Sequence, residues 1–129
     1  DLHLDDGEYL VFDYWNRKFL GRLSASVTVT LPGTASAVLS VRKAAGHPQI
    51  LSTSRHITQG ATELSDVRWD GETKTLSGHS EVVAGDRYRI YVYVPDGYTP
   101  VGCEISDGIC VMEPDCSSSG TVGWSIEFR

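Results

Sequence analysis

The sequence lacks the features that mark two common classes of protein. Its 129 residues include 11 Lys and Arg against 17 Asp and Glu, and its net charge is −6. The basic residues are scattered, and Arg42-Lys43 is the densest group. Because clustered Lys and Arg bind nucleic-acid phosphates, the composition argues against a nucleic-acid partner. No apolar run approaches about 18 residues, so no membrane-spanning helix is predicted.

Metal ligands and cysteines are also few. The four histidines have no metal-ligand spacing and no Cys-x-x-Cys occurs, so no metal site and no cofactor are predicted. The three cysteines, Cys103, Cys110 and Cys116, fall close together, which favours one disulfide and hence a secreted or periplasmic protein. Cys103 and Cys110 are the preferred pair, because a short hairpin would hold them together. Free buried thiols are the alternative.

No complete catalytic constellation is visible in the sequence. A glycosidase needs two carboxylates that flank one bond, and nothing in the spacing of the acidic residues pairs two of them. Neither a Gly-x-Ser-x-Gly elbow nor a phosphate-binding glycine loop occurs. Ser52 and Ser54 lie near His56, but no third group is placed to orient the base. The chain alone is therefore predicted to have no catalytic residues.

The sequence is instead rich in alternating apolar and polar residues, the pattern of half-buried strands. Turn signals such as Pro32-Gly33, Asp70-Gly71 and Asp107-Gly108 separate these runs, and no long helical period occurs. We expect a single antiparallel two-sheet β-sandwich, immunoglobulin-like or jelly-roll-like, without substantial helix. The main alternating runs are residues 23–31, 37–41, 63–69, 73–83, 88–94 and 122–128.

Residues 51–60, LSTSRHITQG, interrupt this pattern. Eight of the ten are neither aliphatic nor aromatic, and the segment has no Pro. Such a segment must either face water or be tied into a hydrogen-bond network. It could be a binding surface or a surface that docks another domain, and Arg55, His56 and Gln59 are the docking candidates.

Residues 7–21, GEYLVFDYWNRKFLG, are apolar on both faces of a predicted strand except at Asp13. Both faces are therefore predicted to be covered. One explanation is a partner domain on one face, with Asp13 hydrogen-bonded at the boundary and Trp15 beside it. The other is a central strand whose second face is covered by a loop over residues 16–21.

A possible sugar platform lies on the strand near residue 90. Tyr91 and Tyr93 alternate with the apolar residues, so they are predicted to point to the opposite, exposed face. An aromatic ring with a polar tip can stack on a sugar ring, and Trp69 could contribute a third ring. The alternative is ordinary cross-strand packing, because Tyr is common in strands.

Residues 7–21 and 51–98, most specifically LVFDYWN and STSRHITQG, resemble the C-terminal β-sandwich of bacterial α-galactosidase-like glycoside hydrolases. The resemblance implies an accessory domain that packs on and stabilises a catalytic (β/α)₈ barrel in the same polypeptide. Such a barrel needs about 250 residues, so no catalytic residue is carried over. The cysteine-bearing residues 103–116 depart from the family pattern.

On this interpretation residues 1–129 are one β-sandwich domain, expected to be an excerpt from the C-terminus of a longer enzyme. Residues 1–8 are acidic and have the composition of a linker. The expected function is a non-catalytic accessory domain of a secreted glycoside hydrolase. The alternatives are a carbohydrate-binding module and an immunoglobulin-like protein-binding domain, since such sandwiches host many functions.

Overall fold

The computed structural model describes residues 4–129, which form ten β-strands and no helix. All strand pairs are antiparallel, so the predicted all-β antiparallel fold is confirmed. The strands are β1 (Tyr9–Asp13), β2 (Lys18–Leu23), β3 (Leu39–Lys43), β4 (Gln49–Thr53), β5 (Leu64–Asp70), β6 (Thr75–Val82), β7 (Ile90–Tyr93), β8 (Ile105–Ser106), β9 (Ile109–Met112) and β10 (Gly120–Glu127).

These strands form three sheets, in the orders β2-β1-β3, β4-β7-β9-β8 and β10-β6-β5. The four-stranded sheet lies between the other two, because its two faces contribute to two separate hydrophobic cores. The sandwich-like fold thus has one sheet more than predicted. The cause is visible in β7, where Ile90 and Val92 face one core and Tyr91 faces the other. A strand that is apolar on both faces needs a cover on each.

The larger core lies between the four-stranded sheet and the β10-β6-β5 sheet. Trp124 and Ile126 are buried in it, as the alternation of β10 predicts. The Trp124 Nε1 donates a hydrogen bond to Ser80 Oγ at 2.8 Å, and its ring lies against Gly78. A Cβ at position 78 would lie 2.6 Å from the indole, so glycine makes room for the ring. The buried members of this core are Ile50, Leu76, Val82, Tyr88, Ile90, Val92, Val94, Cys110, Trp124, Ile126 and Phe128.

The smaller core joins the four-stranded sheet to β1. Phe12 packs on Tyr91 with ring centroids 4.9 Å apart. The opposite face of β1 is covered as well, because Val11 is 3% and Asp13 is 4% exposed. The prediction that both faces of this strand are covered is therefore confirmed. The buried members of this core are Leu10, Phe12, Leu51, Tyr91 and Ile109.

Two predicted segments differ from the structure. Residues 16–21 are not a loop over β1, because β2 begins at Lys18 and pairs with β1 edge to edge. The strand predicted over residues 23–31 is wrong, because β2 ends at Leu23. Leu23 pairs with Tyr9, the first residue of β1, so the residues that follow have no facing residue of β1.

Two hairpins were predicted from their turn residues. The β8–β9 hairpin turns at Asp107-Gly108 with Ser106 opposite Ile109, the register that a two-residue turn at these positions gives. The β5–β6 hairpin is also present, but its turn occupies residues 71–74 rather than two residues. The Asp70 carboxylate explains the longer turn, because its Oδ1 accepts hydrogen bonds from the two backbone N–H groups at positions 72 and 73.

Candidate functional site

The polar tract, residues 51–60, leaves the four-stranded sheet at the end of β4. Ser52 and Thr53 are fully buried, and only His56 and Ile57 of the tract are exposed. Ser52 Oγ lies 3.1 Å from Gln59 Oε1, and the Thr53 hydroxyl donates to a carboxylate oxygen of Glu63. The hydroxyls are therefore inside because they have hydrogen-bond partners there.

Glu63 fixes both ends of the tract. It is 6% exposed, and its Oε1 accepts from Thr53 Oγ1 and, at 2.8 Å, from the backbone N–H of Gly60. Burial acts to raise the pKa of Glu63, but the hydrogen bonds from Thr53 and from backbone N–H groups outweigh it and lower the pKa. The carboxylate is thus ionised near neutral pH and holds the tract in place.

Arg42 of β3 fixes the tract from the other side. Its Nε donates to the Leu51 carbonyl oxygen at 3.1 Å, and one of its terminal nitrogens donates to the Gln59 carbonyl oxygen at 2.8 Å. Ser40 Oγ donates to the same Leu51 oxygen at 2.5 Å. Burial lowers the pKa of Arg42, but the guanidinium keeps its charge. The tract is therefore a well-supported loop, and its exposed tip has a defined position.

The exposed tip lies beside an aromatic pair that follows β1. We define the Trp15 surface as Tyr14, Trp15, His56 and Ile57. The ring centroids of Trp15 lie 5.0 Å from Tyr14 and 5.4 Å from His56. Trp15 is 53% exposed and Ile57 is 85% exposed. The Tyr14 hydroxyl donates to the Ser54 carbonyl oxygen at 2.7 Å, which ties the turn after β1 to the polar tract.

The five docking candidates have different environments. Trp15 and His56 lie together on the Trp15 surface, although the sequence separates them by some forty positions. Asp13 is buried, and its carboxylate accepts hydrogen bonds from Asn16 of the turn that follows, at 3.1 Å and 2.8 Å. Gln59 points inward to Ser52 and has a positive φ of 45°. Both residues have a structural explanation within this domain.

Arg55, the remaining docking candidate, lies at the side of the tract. Its guanidinium is 3.4 Å from Asp86 Oδ2 and 5.4 Å from the centre of the Tyr88 ring. A cation over an aromatic face contributes on the order of 0.5–1 kcal/mol at a partly exposed site. These contacts hold Arg55 on its own domain. Its role in docking stays a prediction.

The predicted sugar platform on β7 needs a correction. Tyr91 is 4% exposed, because β1 packs on the face that was expected to meet solvent. Tyr93 is half-buried against Phe19 of β2, with ring centroids 5.1 Å apart. The alternation placed both rings on the right face of the strand, but it could not show that another sheet covers that face.

Trp69 lies on the other side of the four-stranded sheet from Tyr91. It is half-buried, stacks on His47 with ring centroids 5.2 Å apart, and meets Tyr98 edge to face at 5.6 Å. The three sugar-binding candidates therefore do not form one platform. Trp69 instead packs at the edge of the larger core.

The three cysteines are free thiols in this structure. Cys103 Sγ donates to the Val111 carbonyl oxygen at 3.4 Å. Burial raises the pKa of the Cys110 thiol to about 12. The charge of neighbouring Cys103 and a hydrogen bond with it act in the same direction. The β8–β9 hairpin thus brings the two candidate partners together, and their disulfide stays a prediction.

Two further polar features lie outside the polar tract. On the outer face of the β10-β6-β5 sheet, His79 Nδ1 is 3.4 Å from Asp66 Oδ2, and both side chains are exposed. A groove of about 910 Å³ beside β8 and β9 contains the Arg89–Glu113 ion pair, with Nε 2.7 Å from Oε1.

Within residues 4–129 no cluster of three His, Cys, Asp or Glu side chains could hold a metal ion. No helix in the same residues is long and apolar enough to cross a membrane.

Comparisons of the chain with protein-family models, with curated proteins and with solved structures give no match. Tyr14 and Ile57 were missed as site residues from the sequence. A Tyr-Trp pair directly after an apolar strand was the available signal for Tyr14, whereas no pattern marks a single Ile in a polar loop.

Proposed function

We propose that this domain is a non-catalytic accessory β-sandwich of a secreted, α-galactosidase-like glycoside hydrolase. In this proposal it packs on the catalytic domain of the same polypeptide through the Trp15 surface and stabilises that domain. The observation that carries the proposal is the exposure of Trp15 and Ile57, 53% and 85%, beside a loop that is fixed from within. The resemblance of residues 7–21 and 51–98 supplies the identity of the partner.

The physical argument for docking rests on exposed apolar area and on rigidity. Trp is the residue most enriched among those that dominate binding energy at protein interfaces. Trp15 is held edge to face by Tyr14 at 5.0 Å, and the Tyr14 hydroxyl is itself bonded to the polar tract. Little conformational entropy of Tyr14 and Trp15 is lost on binding, because these contacts already hold the two side chains.

Carbohydrate binding at the same surface is the second candidate. The exposed indole of Trp15 beside the polar rings of Tyr14 and His56 favours it, because amphipathic rings stack on sugars. Docking is preferred, since Ile57 offers no polar group to a sugar and the Tyr91 face is covered. An immunoglobulin-like protein-binding role would use the same apolar residues with a separate protein as partner.

The experiment begins with the coding sequence that precedes Asp1. If it encodes a (β/α)₈ pattern, the whole polypeptide is produced with Trp15→Ala and Ile57→Lys together. We expect the Tm of the catalytic domain to fall and limited proteolysis to separate the domains faster. Val101→Lys is the matched control, because Val101 is an exposed aliphatic residue at 42% that lies near the C-terminal end of β10.

Four results would contradict the proposal. The preceding sequence could encode no barrel, or the double variant could behave like the Val101→Lys control. A third is a change in Trp15 fluorescence when the domain is titrated with galactosides, abolished by Trp15→Ala, which would favour the carbohydrate-binding alternative. Turnover of aryl glycosides by residues 1–129 alone would contradict the non-catalytic assignment.

A further inference from the structure

The connection between β2 and β3 is long and exposed. We define it as the arm, residues 24–38. Val27 and Leu31 of the arm are 37% and 46% exposed, and the chain reverses at Pro32-Gly33, where the Ala35 N–H donates to the Pro32 carbonyl oxygen at 3.0 Å. Among the described residues, no backbone hydrogen bond involves positions 24–31. With respect to residues 4–129, the N–H and C=O groups of this stretch are therefore available to water or to a partner.

The composition of the arm is that of a strand that lacks the residues which prevent pairing with another chain. Residues 24–31 alternate small or aliphatic side chains with hydroxyls, a pattern with high strand propensity. In a chain of which 22% is charged, no charged residue occurs between Arg22 and Arg42. Natural proteins commonly place charges or Pro on exposed strands to prevent pairing with another chain. Within residues 24–31 neither is present, so nothing in the sequence of that stretch opposes strand pairing.

The pattern of the arm is also complementary to itself. If two copies pair antiparallel about Thr28, Ala25 lies opposite Leu31 and Val27 opposite Val29. All the aliphatic side chains then lie on one face, and the hydroxyls lie on the other. Directly opposite aliphatic pairs and Thr pairs stabilise antiparallel strands. A pairing about a two-fold axis is the commonest form of self-association.

We propose that residues 25–31 pair with the same residues of a second copy of this chain and form a symmetric dimer. Val27 already lies in a groove of about 540 Å³, whose lining combines aliphatic side chains with Asp5 and Asp6. That groove also contains Tyr9 and Val11 of β1, so the paired arms are supported by the β2-β1-β3 sheet. The contact is small, which places the dimer among weak associations that bury less than about 1,200 Å². This proposal does not depend on the Trp15 surface.

The first test measures self-association of the chain by sedimentation equilibrium over a wide range of protein concentration. We expect a reversible monomer–dimer equilibrium. Val27→Lys with Leu31→Lys should weaken the dimer at least about tenfold, because it places four like charges on one face of the pair. Thr34→Lys with Ser36→Lys is the matched control, since it adds the same charge to exposed positions of the arm outside the paired residues.

A monomer at all concentrations, or equal weakening by both double variants, would overturn the proposal. Unchanged Tm values at low concentration verify that the variants are folded. If the Val27 and Leu31 variants instead lower the Tm of the whole polypeptide without any concentration dependence, the arm packs on another domain and the dimer is excluded.

The second test locates the two-fold axis. In the proposed pair Thr28 faces its own copy, and directly opposite residues of antiparallel strands have Cα atoms about 4.5–5.5 Å apart. This separation lies within the range that a disulfide bridges. Thr28→Cys should therefore give a covalent dimer on mild oxidation, while Thr34→Cys and the unaltered chain should not. Equal cross-linking by Thr28→Cys and Thr34→Cys would contradict the pairing.

Discussion

The polar tract is mostly buried and the arm is mostly exposed, which is the reverse of what their compositions suggest. Of the polar tract, residues 51–60, only His56 and Ile57 are exposed. In residues 24–31 of the arm, hydroxyl and aliphatic side chains alternate, and only Val29 is not exposed. A scale of side-chain hydropathy would place the first segment outside and the second inside.

The difference teaches that available partners decide burial in this fold. The tract begins in the last three residues of β4 and continues as a loop, and Glu63 and Arg42 supply a carboxylate and a guanidinium to its hydroxyl and carbonyl groups. A buried polar group costs little when it is hydrogen-bonded. The arm follows β2 past the end of β1, where no strand within residues 4–129 pairs with it. Val27 and Leu31 stay exposed because no strand within residues 4–129 covers them.

The largest difference in the free energy of unfolding is expected between substitutions of the buried Trp124 and the half-exposed Trp15. Trp124→Ala should lower the free energy of unfolding by about 3–5 kcal/mol, because it leaves a cavity in the larger core and leaves Ser80 without its hydrogen-bond donor. Urea unfolding of the isolated domain measures this change. The control is Trp15→Ala, which removes a half-exposed ring and should cost less than about 1 kcal/mol. Similar losses in the two variants would show that Trp124 is not a core residue.

The sequence allowed the strand-forming runs to be predicted where alternation and turn residues agree. The inward positions of Trp124 and Ile126 and the register at Asp107-Gly108 follow from those two signals alone. The third sheet could not be predicted, because alternation tells which side chains share a face and not what covers that face. Tyr91 illustrates this limit, since its position on the strand was correct and its exposure was wrong.

The candidate site was predictable only in part, for a related reason. Trp15 and His56 each belong to a segment with unusual composition, and each was named from the sequence. Their contact at 5.4 Å depends on how the end of β1 and the end of β4 meet across two sheets. No local pattern contains that information. The role of Glu63 was hidden as well, because a single Glu after a loop does not show which hydroxyls will reach it.

The second prediction tests whether the charge of Glu63 stabilises the buried position of the polar tract. Glu63→Gln keeps the shape of the side chain but removes the charge that strengthens its hydrogen bonds to Thr53 and Gly60. Hydrogen bonds to charged groups contribute about 1.5–3 kcal/mol, so the variant should lose about 2 kcal/mol at pH 7. Denaturant unfolding at several pH values measures the loss.

The pH dependence has a definite sign. Because the folded protein lowers the pKa of Glu63, the ionised carboxylate stabilises the fold above its ordinary pKa of 4.5. This stabilisation disappears as the pH falls below that value and through the lowered pKa. The difference between the wild-type protein and Glu63→Gln should therefore shrink on acidification. A difference that stays constant or grows would mean that the Glu63 charge does not hold the tract.

The smallest effect is expected in the arm. Val27→Ser in dilute solution should change the free energy of unfolding by less than about 0.5 kcal/mol, because the side chain is 37% exposed and contributes little buried area. Val82→Ser is the matched control, since Val82 is 3% exposed in the larger core and the same substitution there should cost at least about 2 kcal/mol. Equal costs at the two positions would mean that the arm is packed into the fold. A cost at Val27 that appears only at high protein concentration is the result that the paired arms predict, because dissociation of the dimer then contributes to unfolding.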